Sequence, residues 1–70
     1  MGMEFTVELE REDDGRWLGE VRDLPGVMAY GATWDEALRA VEVCALRVLA
    51  DRLEHGEGVP SPLRVSFKAA

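Results

Sequence analysis

The sequence predicts an α+β fold of order β-β-β-α-β. Its four strands form one mixed sheet, in spatial order 3-2-1-4, with one long helix packed on one face. Three observations predict this. Apolar and polar residues alternate with period two in three segments, the signature of half-buried strands. Pro and Gly punctuate the gaps between short strands. One long stretch between a capping signal and a glycine carries apolar residues at helical spacing.

The elements follow in order. Phe5, Val7 and Leu9 alternate with Glu4, Thr6, Glu8 and Glu10, which gives the first strand one apolar face. Glu12-Asp13-Asp14-Gly15 signals a turn, with Gly15 suited to positive φ. Trp17, Gly19 and Val21 then alternate with Leu18, Glu20 and Arg22 in the second strand. Two hairpin registers put both apolar faces on one side. A three-residue loop, Asp13 to Gly15, sets Glu8 opposite Glu20, which is repulsive. A five-residue loop sets Glu10 opposite Arg16 and Glu4 opposite Arg22, which is favourable and preferred. Asp23-Leu24-Pro25-Gly26 marks the next turn, with Pro at the second turn position and Gly at the third, as type II requires. Val27 to Tyr30 is a short third strand, stopped by Gly31.

Thr33-Trp34-Asp35-Glu36 reads as a capping box, the Thr33 hydroxyl accepting from the Glu36 N–H and the Glu36 side chain reaching back to Thr33. Asp35 and Glu36 suit the positive end of the helix dipole. The helix is expected to reach about His55, with Gly56 as its left-handed cap. Gly58, Pro60 and Pro62 end it, and Leu63, Val65 and Phe67 alternate with Arg64, Ser66 and Lys68 in the last strand. Three antiparallel strands followed by a returning helix bring the fourth strand parallel to the first. Glu4, Thr6 and Glu8 beside Arg64, Ser66 and Lys68 form a charge ladder, which places strand four next to strand one through a right-handed crossover.

A chain of 70 residues is a single domain, 1–70. A domain of this size buries only about 60% of its unfolded surface. One cysteine excludes an internal disulfide, and one His with one Cys speaks against a zinc cluster. Self-association is the remaining support, so a homo-oligomer is expected. The net charge of −6 argues against direct nucleic-acid binding through phosphates and suits a basic partner or plain solubility. No apolar run is long enough for a membrane span, and the acidic start is unlike a signal peptide, so a cytoplasmic location is expected. The absence of Asn and Gln is consistent with a thermophile.

On a helical wheel Trp34, Leu38, Val41, Ala45, Val48 and Leu49 share the core stripe, with Ala37 and Cys44 at its margin. Val43, Leu46, Ala50 and Leu53 make a second, outward strip. Strand three is apolar on both faces, so either Val27 and Ala29 or Met28 and Tyr30 join Leu18 on the open face of the sheet. As an uncharged edge it invites pairing with another chain. The interface candidates are therefore Leu18, Met28, Tyr30, Val43, Leu46, Ala50 and Leu53.

Catalytic and metal chemistry have little to stand on. Cys44 lies at the core margin and reads as a structural thiol. His55 reads as a helix C-terminal cap assisted by Glu54. Asp13 and Asp14 read as solvated turn carboxylates. No phosphate loop or metal-ligand spacing is present. No catalytic, cofactor or metal site is assigned.

The segment "GRWLGEVRDLPGV" followed by "GATWDEAL" resembles the HicB-like antitoxin family. The residues that carry the likeness are Asp23, Leu24, Pro25, Gly26, Gly31, Thr33, Glu36 and Ala37, and it runs from Gly15 to about Leu46. Val27 stands where the family often has Cys. The resemblance implies a partial ribonuclease H-like fold and a non-enzymatic role, neutralising a small basic mRNA-cleaving toxin of the HicA type. Many members add a DNA-binding tail, and none is expected after Ala70. Ribonuclease H chemistry needs carboxylates converging from strand one, the helix and strand four. Glu4, Glu8 and Glu10 lie on strand one and Glu42 on the helix, but strand four has none. The alternative function is a solitary oligomeric scaffold or small-ligand-binding domain.

Overall fold

A computed structural model describes residues 2–70; Met1 of the expected 1–70 domain lies outside them. The elements are β1 (Met3–Arg11), β2 (Trp17–Glu20), β3 (Met28–Gly31), α1 (Trp34–His55) and β4 (Val65–Ala69). They form one sheet in the order β3-β2-β1-β4. β1 is antiparallel to β2 and parallel to β4, and β2 is antiparallel to β3. The predicted α+β topology and strand order are those observed. The ladder between the outer strands has Glu4 beside Ser66 and Thr6 beside Lys68, and Lys68 Nζ reaches Glu4 Oε1 at 3.5 Å.

The hairpin takes the shorter loop, which corrects the preferred register. Glu8 lies opposite Glu20 and Glu10 opposite Leu18. Arg22 explains why the repulsion is tolerated: its Nε lies 2.6 Å from Glu8 Oε2 and 3.9 Å from Glu20 Oε1, so one cation serves both carboxylates. The loop is also fastened from within. The Arg16 N–H donates to Asp14 Oδ1 at 3.0 Å and Arg16 Nε to Asp14 Oδ2 at 2.7 Å. These bonds, the backbone one first, hold the Asp14 carboxyl below the usual carboxylate range. Glu12 N–H donates to Arg16 O at 2.7 Å, and Gly15 closes the turn at φ 89°.

The second turn is type II at Leu24–Val27, with Gly26 at φ 80° and the Val27 N–H donating to Leu24 O at 3.1 Å. A further bond, Leu24 N–H to Val21 O at 3.1 Å, folds the preceding residues back. The result is that Leu24, in the middle of a turn, is a core residue, 2% exposed. The core joins Phe5, Val7, Val21, Leu24 and Val27 to Val41, Ala45 and Leu49 of α1. Phe5 and Phe67 pair across β1 and β4 with ring centroids 5.8 Å apart.

The helix begins at Thr33, whose Oγ1 accepts from the Glu36 N–H at 3.1 Å. The reciprocal half of the capping box differs from expectation. Glu36 Oε2 accepts from the Ala32 N–H at 3.0 Å, one residue before the cap, rather than from the Thr33 N–H. Thr33→Ala should lower stability by about 1 kcal/mol in urea melts, and Thr33→Ser should restore most of it. At the far end Gly56 takes φ 68°, with Gly56 N–H on Leu53 O and Glu57 N–H on Arg52 O, a Schellman cap.

The contact line of α1 is rotated from the wheel reading. Ala37, expected at the margin, is fully buried with Val41, Ala45 and Leu49, four residues apart. Trp34, expected in the core stripe, stays 38% exposed, since it sits at the rim one turn before the closest approach of helix and sheet. That approach is at Gly31. A Cβ there would overlap the backbone of Glu36 and Ala37. Gly31 therefore lies inside β3 and admits the helix, rather than merely ending the strand.

Candidate interaction surfaces

The helix covers the sheet face that carries Phe5, Val7, Val27 and Ala29, and no element covers the other face among the described residues. Strand alternation puts Glu4, Thr6, Glu8 and Glu10 of β1 on this open face, with Leu18 and Glu20 of β2, Met28 and Tyr30 of β3, and Ser66 and Lys68 of β4. The register divides it. Glu10, Leu18 and Tyr30 form one row across the strands, and Glu8, Glu20 and Met28 the next. The β3 end is apolar, and the middle holds Glu8, Glu10 and Glu20, with Arg22 between Glu8 and Glu20.

Three of the seven interface candidates meet here. Leu18 lies opposite Tyr30, and Met28 is one pair along. Met28 and Tyr30 are each 48% exposed and Leu18 is half-buried. The alternative left open by the sequence resolves this way because Val27 and Ala29 take the core side. Arg16 lies over the Tyr30 ring, its guanidinium carbon 4.3 Å from the centroid. The other four candidates, Val43, Leu46, Ala50 and Leu53, are exposed on α1, on the side turned away from the sheet. They are a separate patch, with the whole two-layer core between them and the first.

Sequence reading used Arg16, Glu20 and Arg22 to weigh the hairpin register, pairing Arg16 with Glu10 and Arg22 with Glu4, which the structure does not do, and did not place them among the interface candidates. The charge period of β2 places Glu20 and Arg22 on the open face, but their relation to Glu8 depends on the hairpin register. Arg16 over Tyr30 depends on two registers at once.

Apart from Asp23, the motif residues have positions that account for them mechanically. Asp23 and Pro25 are exposed in the turn, Leu24 fills the core, Gly26 takes the positive φ, Gly31 and Ala37 form the helix–strand contact, and Thr33 and Glu36 cap the helix. The carboxylates considered for metal chemistry do not converge: Glu4, Glu8 and Glu10 lie on the open face, whereas Glu42 rides on the helix beyond the opposite face. Asp14 is engaged by Arg16. Cys44 is half-buried against the core, beside a shallow groove between α1 and Glu57.

At the helix end Asp51, His55 and Glu57 bring ligand-type atoms within 4.8 Å of one another, all exposed. His55 Nδ1 lies 2.8 Å from the Asp51 carbonyl and 3.5 Å from its Oδ1. The ring thus meets a carbonyl near the end of the helix, but its acidic neighbours are Asp51 and Glu57 rather than Glu54. No described helix is long and apolar enough to cross a membrane. No family model, curated protein or solved structure matches the chain.

Proposed function

We propose that the chain is a HicB-like, antitoxin-type binding domain that neutralises a small basic RNA-cleaving toxin by covering its cationic surface. The observation that carries this reading is the bare open face, with Glu8, Glu10 and Glu20 beside an apolar end at Leu18, Met28 and Tyr30. Acidic side chains beside an apolar patch give both fast encounter with a cationic protein and a dry contact on which to hold it. The net charge of −6 adds long-range steering. The motif from Asp23 to Ala37 supports the family assignment, and the separation of Glu42 from the β1 carboxylates supports a non-enzymatic role.

The test is co-expression with the product of a short basic reading frame adjoining the gene. The two proteins should co-purify, and growth arrest by the basic product should be relieved. Glu8→Gln with Glu10→Gln should slow association several-fold and flatten its salt dependence. A basic neighbour that is neither bound nor neutralised would refute the reading. It would leave the solitary scaffold, for which the motif's mechanical roles are the supporting observation.

A further inference from the structure

We propose that β3 is the seam of a two-fold homodimer, in which Met28 and Tyr30 of one copy exchange backbone hydrogen bonds with Tyr30 and Met28 of a second. This does not rest on the toxin-binding reading.

The ladder fixes which backbone groups are free. Val21 N–H donates to Val27 O at 3.0 Å, so Val21 and Val27 are a hydrogen-bonded pair. Bonded and non-bonded pairs alternate along an antiparallel ladder. Gly19 with Ala29 and Trp17 with Gly31 are then the bonded pairs, while Met28 and Tyr30 face β2 without bonds. The N–H and C=O groups of Met28 and Tyr30 point out from the edge. Such a row is a template for another strand.

The occupant that fits is a second copy. Met28 and Tyr30 flank Ala29 symmetrically, so a two-fold axis through Ala29 sets Met28 opposite Tyr30 of the second copy, and the reverse. All the outward donors and acceptors of these residues are then paired in four bonds. On the open face Leu18, Met28 and Tyr30 of both copies become one apolar strip. β3 contributes no charge to oppose the match.

The flanking charges are self-complementary under the same axis. Arg16 lies over Tyr30, and Glu20 is the β2 partner of Met28. Tyr30 meets Met28 of the second copy, so Arg16 comes to the same row as Glu20 of that copy. The two β2 backbones are three strand spacings apart, roughly 14 Å, but the Arg16 guanidinium already lies over Tyr30, one strand nearer the seam, which makes this a long-range opposite-charge contact. The bond from Arg16 to Asp14 engages Nε and leaves the terminal nitrogens for this contact. A four-residue seam is small, on the order of 1,000 Å² or less in total, so association should depend visibly on concentration.

Sedimentation equilibrium of the full chain over a concentration series tests this, with amide hydrogen exchange on the same samples. The mass should rise from monomer to dimer. The Met28 and Tyr30 amides should slow with concentration, while that of Ala29 stays constant. Met28→Lys, at an exposed position, should weaken association by about tenfold or more through like charges at the seam and leave the melting curve of the monomer unchanged. Arg16→Glu and Glu20→Arg should each weaken it alone, and an equimolar mixture of the two should regain it, because only the mixed dimer restores both opposite-charge contacts. A constant monomer mass would overturn the proposal. So would a dimer indifferent to Met28→Lys whose Met28 and Tyr30 amides stay fast, since its contact then lies elsewhere.

Discussion

Gly31→Ala should cost about 3 kcal/mol, at the upper end for overpacking by one methyl, and remove more than half of the domain's stability. The reason is the identity of the neighbours. The added Cβ would meet the Glu36 carbonyl carbon at 2.7 Å and the Ala37 Cα at 2.8 Å, both main-chain atoms of the first helical turn. A side chain could swing aside; this backbone is held by the Thr33 and Glu36 caps, so the whole helix would have to lift from β3. Gly19 supplies the control. A Cβ there meets Ala37 O and Val41 Cγ1 at 3.1 Å, and movement of a few tenths of an ångström would admit it. Gly19→Ala should therefore cost about 1 kcal/mol. A domain of this length has a total stability of only about 5 kcal/mol. Urea melts followed by circular dichroism should separate the two variants clearly, and equal midpoints would contradict the helix–strand contact described.

Leu24→Ala should cost about 3 kcal/mol, although the residue sits in a turn. Its side chain is 2% exposed and packs with Val21 and Val27 beneath the helix. Truncation leaves a cavity that two turns, each closed by a backbone bond, cannot collapse to fill. Pro25→Ala, one residue on and exposed, should change stability by only about 0.5 kcal/mol, through the freedom of the unfolded chain. The same melts read both. If the Pro25 substitution proved the more damaging, the turn's backbone rather than its apolar plug would be holding this end of the sheet.

Those two residues also show where sequence reading reached and where it stopped. Strand parity, the helix limits and the parallel fourth strand were legible because each rests on periodicity or a local signal. Thr33 and Gly56 announce the helix ends, and the matched faces of β1 and β4 announce their adjacency. Gly31 was legible as a glycine but not as a contact, since nothing local says that a helix will press on it. Leu24 lay in a segment rich in turn formers, where an apolar residue has no period to mark it as core. The hairpin register depended on Arg22, which the preferred register sets opposite Glu4 but which lies past the end of β2 and bridges Glu8 and Glu20, a diagonal relation that a count of opposed residues does not give. The candidate surface was legible in its apolar part, because β3 has no charge on either face. Its ionic part, Arg16 and Glu20, needed both registers before either could be placed.

The pairing of β1 with β4 has a consequence for the chain during its synthesis. β1 is an inner strand whose two neighbours come from very different points in the sequence: β2 follows at once, but β4 begins only at Val65. Until those residues leave the ribosome, one flank of β1 from Met3 to Val7 has no partner, although the hairpin and helix can already dock. Counted from the end of β2 at Glu20 to the end of β4 at Ala69, translation at about 5–20 residues per second makes the wait about 2–10 seconds. The acidic side chains Glu4 and Glu8, beside the waiting flank, discourage two nascent chains from zipping together there.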